Sequence, residues 1–157
     1  MSRRRESGTT VVELAVAGAA VLLVLFACLE IARLMFVWNT IGEATRRGAR
    51  LAAVCPPNHA SVIAAAVLNP PGGDTRSGHV AGLETTNVSV QYLDAGGATT
   101  ASIADMAFVR VSITGFQHIL AIPFITQTIN VPPFATTIPV ESLGYVPETD
   151  SRQCAGG

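Results

Sequence analysis

Three cysteines, three histidines and one acid at the head of an apolar run are the residues of this chain whose types could do chemistry. The histidines, His59, His79 and His118, stand far apart, and none has a second ligand at the short spacing of a metal-binding pair. They read as surface or loop residues. Asp74, Glu84, Asp94 and Asp105 lack the spacing of a calcium loop. There is no Gly-x-Ser-x-Gly, phosphate loop or Cys-x-x-Cys. No catalytic constellation emerges, so neither an enzyme nor a metal or other cofactor is expected. Cys55 and Cys154 offer a different chemistry, because they stand at the two ends of the C-terminal part of the chain. A bond between them would close a loop of about 100 residues, worth up to roughly 4–5 kcal/mol in the chain-entropy model. It would persist only outside the cytoplasm; the other reading is two thiols in flexible ends. Cys28, within the apolar run, reads as a small unpaired hydrophobe.

The acid is Glu13, and the element that must carry it is a helix of membrane length. Leu14 to Leu29 contains no charge, and the 21 residues from Thr9 to Leu29 span roughly 32 Å as a helix. The hydrocarbon core of a bilayer is about 30 Å thick. A carboxylate costs roughly 2.5–3.5 kcal/mol at the centre of such a span and less near an end, so Glu13 is expected to have a task. Arg3, Arg4 and Arg5 flank the N-terminal end, which the positive-inside rule places in the cytoplasm with everything after the span exported. Arg46, Arg47 and Arg50 lie beyond the other end, but Arg50 would stand roughly 30 Å from the membrane edge. A cleaved secretory signal fits less well, since the core is long and Glu13 interrupts its start. Leu25-Phe26-Ala27-Cys28 loosely matches a lipoprotein box, with Phe26 where a small residue is preferred.

Gly8-Thr9-Thr10-Val11-Val12-Glu13 behind the arginines resembles the class III signal of type IV pilins and pseudopilins. The resemblance implies cleavage by a prepilin peptidase between Gly8 and Thr9, with Glu13 fifth in the mature chain. Further on come Glu30-Ile31-Ala32-Arg33, Phe36, Trp38 and Ala44-Thr45-Arg46-Arg47-Gly48-Ala49-Arg50. This ordered set is similar to the TadE-like proteins of the tight-adherence (Tad/Flp) pilus system, over about residues 7–54. The resemblance marks Glu30, Arg33, Trp38, Gly48 and Arg50 as the assembly helix. It implies residence in the inner membrane and, as partners, other pilin subunits and the Tad assembly machinery. In related pilins the glutamate is stabilised by the free N-terminal amine, which here would belong to Thr9.

Composition agrees with a tethered protein. The chain has 157 residues, 49% hydrophobic and 13% charged, with no lysine and a formal charge of −1. Removing residues 1–8, with three arginines and one glutamate, would leave −3, which gives no electrostatic footprint for nucleic acid. The expected organisation is a leader over 1–8, a span and stalk over 9–54, and a small exported domain over 55–157.

No proline falls between Thr9 and Val54, and Pro56-Pro57 ends the segment. Leu34, Trp38, Ile41, Thr45, Gly48 and Ala52 recur at steps of three and four, on one helical face. Glu43 precedes Arg46 and Arg47 in the favourable direction for ion pairs. The small residues of the stalk suit close approach, either of the protein's own sheet or of other subunits. Beyond Pro57, residues 61–68 read as a short helix and residues 72–82 as a mobile loop. Asn87 to Leu93 and Met106 to Thr114 alternate as strands. A third strand near Ala135 to Glu141 contains Pro139, which confines it to an edge or shortens it. Residues 115–134, apolar but broken by prolines, have no assignable element. The fold class is α+β and pilin-like: a long N-terminal helix, continuing as a stalk, packed on a small antiparallel sheet.

The leading function is a structural or assembly subunit, a minor pilin or pseudopilin of a Tad-type adhesion pilus. The alternatives are a type II secretion pseudopilin and a signal-anchored periplasmic binding or sensor domain with Phe116 to Phe134 lining a pocket. Segment 44–50 favours the TadE-like reading over the secretion pseudopilin.

Overall fold

The computed structural model describes residues 6–123 and 125–154. Arg3, Arg4 and Arg5 of the leader, and Phe124, lie outside them. Helix α1 runs Glu6–Val54, 49 residues and about 74 Å at 1.5 Å per residue. It ends as the sequence requires: Cys55 N–H closes the last turn on Leu51 O at 2.9 Å, and Pro56 and Pro57 follow. Helix α2, Ala60–Ala66, is capped by His59, whose Nδ1 accepts from Ser61 N–H at 3.3 Å.

Three antiparallel strands form the main sheet, in the order β1 (Val88–Leu93), β2 (Phe108–Ile113), β5 (Phe134–Pro139). In β2 the alternation is complete on its inner face, with Val109, Val111 and Ile113 buried and Arg110 exposed. Pro139 sits opposite Phe108 on the outer strand, where its missing N–H costs no ladder bond. Within the stretch 115–134 lies a second, two-stranded antiparallel ribbon, β3 (Gln117–Ile122) and β4 (Ile125–Asn130). A short pair, β6 (Tyr145–Val146) and β7 (Ser151–Arg152), completes the described strands.

The core lies between α1 and the sheet, in two adjoining clusters. One gathers Ala49, Ala52, Cys55, Val62, Ala66, Tyr92, Val109 and Val111. The other gathers Val37, Ile41, Ala44, Val67, Leu83, Ile113 and Phe116. The buried stripe on α1 is thus the face read from sequence, and the small residues explain its depth. Gly48 lies against Ala66 and Val111, and Thr45 Oγ1 meets Thr136 Oγ1 at 2.8 Å. The protein's own α2 and sheet cover this face, which decides between the two readings of the stalk.

Two expectations need correction. Residues 72–82 are not a free loop. Asn69, 7% exposed, donates to Asp74 O at 2.7 Å and Arg76 O at 2.8 Å. Arg76 also bridges to Glu84 across an isolated β-bridge, Nε to Oε1 at 3.0 Å. Glu43 pairs with Arg46 at 3.5 Å in solvent, not with both arginines, so the pair contributes little.

Candidate assembly site on the long helix

Along α1 the environment changes twice. From Val11 to Leu29 the large side chains are exposed: Leu14 is 74% accessible, Leu29 66%. An apolar surface of this extent, uncovered by the rest of the chain, requires a nonaqueous or proteinaceous environment. Glu13 sits on it, exposed, one turn after Thr9. Gly8 lies in the first turns of the helix. Cys28 is exposed on the same stretch. From Val37 onward one face of the helix is core, and Asn39, Glu43, Arg46, Arg47 and Arg50 stay exposed on the other.

Between these regions stands a polar junction. Glu30 and Arg33, one turn apart, form a two-pronged pair: Arg33 Nε donates to Glu30 Oε1 and Nη2 to Oε2, each at 3.0 Å. The pair also engages β3. Arg33 Nη2 donates to Ile119 O at 2.6 Å, and the Ala121 amide donates to the Glu30 carboxylate. Alternate residues of a strand turn their N–H and C=O away from their partner strand. On β3 these outward groups meet one acceptor and one donor from the helix, which together stand in for a neighbouring strand.

His118 lies at this junction, and its burial corrects the expectation of a surface histidine. It is 4% exposed, with Nε2 at 4.0 Å from Glu30 Oε2. Its Nε2 has no hydrogen-bond partner among the described residues. Burial lowers its pKa below the ordinary 6.5, and the Arg33 charge adds to this against a smaller opposing effect of Glu30. The imidazole is accordingly neutral at pH 7. His118, Leu120 and Ile122 share the inward face of the ribbon, but Ile119 and Ala121 on the outward face are apolar as well, so alternation does not mark the buried side.

The other expected positions divide by role. Trp38 is half-buried against the second core cluster. Gly48 is buried and Arg50 exposed, Arg50 beside a groove of about 560 Å³ between α1 and α2 that Glu43 and Arg47 also line. Cys55 and Cys154 are joined by a disulfide with Cα atoms 4.5 Å apart, 99 residues apart in sequence. It ties the C-terminal end of α1 to the last described residues. An open groove of about 740 Å³ near Pro57, Tyr92 and Ile103 includes a single charged residue in its lining, Arg152. That guanidinium is already engaged, donating to Leu143 O at 3.0 Å and lying over the Tyr145 ring. Phe116 to Phe134, read as a possible pocket lining, contains the β3–β4 ribbon, and Phe134 opens β5.

A long apolar helix, exposed in its first half and packed on an antiparallel sheet in its second, defines a pilin-like protein. Residues 8–50, about a quarter of the chain, match the model of a family described as TadE-like protein. No curated protein and no solved structure matches the chain. The matched segment contains Gly8, Glu13, the Glu30–Arg33 pair and the buried small face through Arg50. Replacing Glu30 by alanine should therefore loosen the ribbon. Hydrogen exchange at the Ala121 amide should accelerate while amides of β2 keep their protection; unchanged exchange at Ala121 would show that the pair does not hold β3.

Proposed function

We propose that this chain is a structural subunit, a minor pilin or pseudopilin, of a Tad-type pilus. It is anchored in the inner membrane by residues 9–29, with its N-terminus cytoplasmic and the sheet domain in the periplasm. The observation that carries this reading is the uncovered apolar surface of α1 from Val11 to Leu29, continuous with a helix half packed along one face. In a bilayer that surface meets lipid. In a filament the same surface would meet the helices of neighbouring subunits, with little change in the apolar area buried. Leader removal by a prepilin peptidase at Gly8 would free the Thr9 amine. Glu13, four residues on, would then have a cationic partner in an apolar setting, where an unpaired carboxylate is costly.

Mass spectrometry of the mature N-terminus tests the proposal. The expected chain starts at Thr9, and replacing Gly8 by a bulky residue should leave the longer form in the membrane. Glu13→Gln should be cut normally but fail to support pili. A mature chain starting at a lipidated Cys28 would overturn the reading in favour of a lipoprotein. An uncut wild-type chain would favour a signal-anchored binding or sensor domain, which needs no cleavage.

A further inference from the structure

The β3–β4 ribbon points back along α1 toward the apolar half of the helix. Phe116 packs with Val37 and Ile41 in the core. One strand length on, Ala121 is bonded to Glu30, one residue beyond the span's last apolar residue, Leu29. The 119–122 end of β3 therefore lies level with the end of the span.

The ribbon is also built for an apolar boundary. From Val111 to Val140 there is no Asp, Glu, Lys or Arg, so the whole ribbon is uncharged apart from the buried, neutral His118. Its outward residues near the span are Ile119, 57% exposed, and Ala121. An open strand edge in apolar surroundings would leave backbone groups unsatisfied. On β3 the edge groups of Ile119 and Ala121 are taken up by Arg33 and Glu30. Arg33 keeps 47% of its side chain accessible, which suits a guanidinium reaching lipid headgroups while its stem stays apolar.

We propose that the β3–β4 ribbon rests on the outer surface of the bilayer that α1 crosses, with the 119–122 end of β3 at headgroup depth. The occupant of this face is lipid. The domain then sits directly on the membrane, clamped to the span by Glu30 and Arg33, and is not held away on a free stalk. This inference rests on the membrane reading of residues 9–29.

Fluorescence quenching in proteoliposomes of phosphatidylethanolamine and phosphatidylglycerol tests it with the full chain. Trp38 is the single tryptophan, so Trp38→Phe supplies a silent background. Single tryptophans are then placed at Ala121, at Leu22 in the span and at Ala95 in the turn after β1. Ala95 lies near the far end of the domain, where Tyr92 packs by Ala52, roughly 35 Å along the helix from Leu29. Shallow brominated phosphatidylcholine should quench and blue-shift Ala121→Trp, deep-brominated lipid should quench Leu22→Trp, and Ala95→Trp should respond only to aqueous acrylamide. Ile119→Trp provides a second site on the ribbon should the first disturb the Glu30 bond. If Leu22→Trp is quenched by lipid while both ribbon tryptophans answer only to acrylamide, the ribbon proposal is wrong and the anchor stands. If Leu22→Trp escapes lipid as well, the anchor itself fails. Protection of the ribbon that depends on protein density and not on bromination would assign the face to a second subunit and likewise overturn the proposal.

Discussion

The double variant Cys55→Ala/Cys154→Ala should unfold at much lower urea concentration than the parent, with a loss of about 2–5 kcal/mol in the folding free energy of the domain. The bond closes a loop with a separation of 99 residues, near the upper end of the loop-closure effect, and that entropy is removed from the unfolded chain. A second cost is local. Cys55 is completely buried with Ala52, Ala53 and Leu143, at the point where α1 ends and the chain turns away. Leu143 N–H and Glu141 N–H both donate to Ala53 O, at 3.2 and 3.0 Å, so the last segment is fastened to this helix end by backbone bonds as well. Loss of the disulfide should therefore loosen residues after Val140 before it affects β2. Urea unfolding in detergent, with and without reductant, measures the first effect. Equal midpoints for parent and double variant would show that the backbone bonds suffice. Because the bond is stable only in an oxidising compartment, its presence in protein from cells also tests export of the domain.

Gly48→Ala should destabilise by about 1–3 kcal/mol, although alanine is the better helix former by roughly 1 kcal/mol. A Cβ at this position would stand 2.8 Å from Ala66 Cβ, 3.2 Å from Val111 Cγ1 and 3.3 Å from Ala66 Cα. The obstacle includes the backbone of α2, which cannot rotate away as a long side chain would. Relief requires α2 to move off α1, and both are parts of one core cluster. Gly42→Ala is the control: its nearest neighbour would be Phe134 Cδ1 at 3.9 Å, an ordinary contact, so the propensity gain should show as unchanged or slightly raised stability. Ala66→Gly should restore part of the loss in the Gly48→Ala background, since the two sites are in contact and do not add independently. Thermal unfolding of the parent and the three variants decides the matter. A stable Gly48→Ala would mean that α1 and α2 approach less closely than described here.

These two positions show where sequence and structure divide. The helix, its apolar first half and its termination were legible because they depend on local quantities: unbroken apolar composition, the absence of proline before Pro56, and a three-four periodicity. The strands β1 and β2 were legible for the same reason, since one face of each is buried and alternation records it. Pro139 marked β5 as an edge strand because a missing N–H is a local property. The ribbon β3–β4 was hidden. From Ile119 to Ile122 β3 is apolar on both faces, Gln127 interrupts the isoleucines of β4, and the turn contains Pro123, so the periodic contrast between an inner and an outer side is weak.

What only the tertiary structure decided is which partner each face receives. The small residues from Ala44 to Ala52 could have met another subunit or the protein's own sheet; their spacing is identical in both cases. Contact with Ala66 and Val111 assigns them to the protein's own core, where close approach needs the absence of a Cβ. In the same way Glu30 and Arg33 are recognisable as an ion pair from their spacing along a helix. Their bonds to Ile119 and Ala121 arise between residues more than 80 positions apart, across a ribbon that local sequence does not announce. His118 is the clearest instance: an isolated histidine carries no sequence mark of burial, and it becomes an interior residue because the ribbon folds its inward face onto the helix at Glu30.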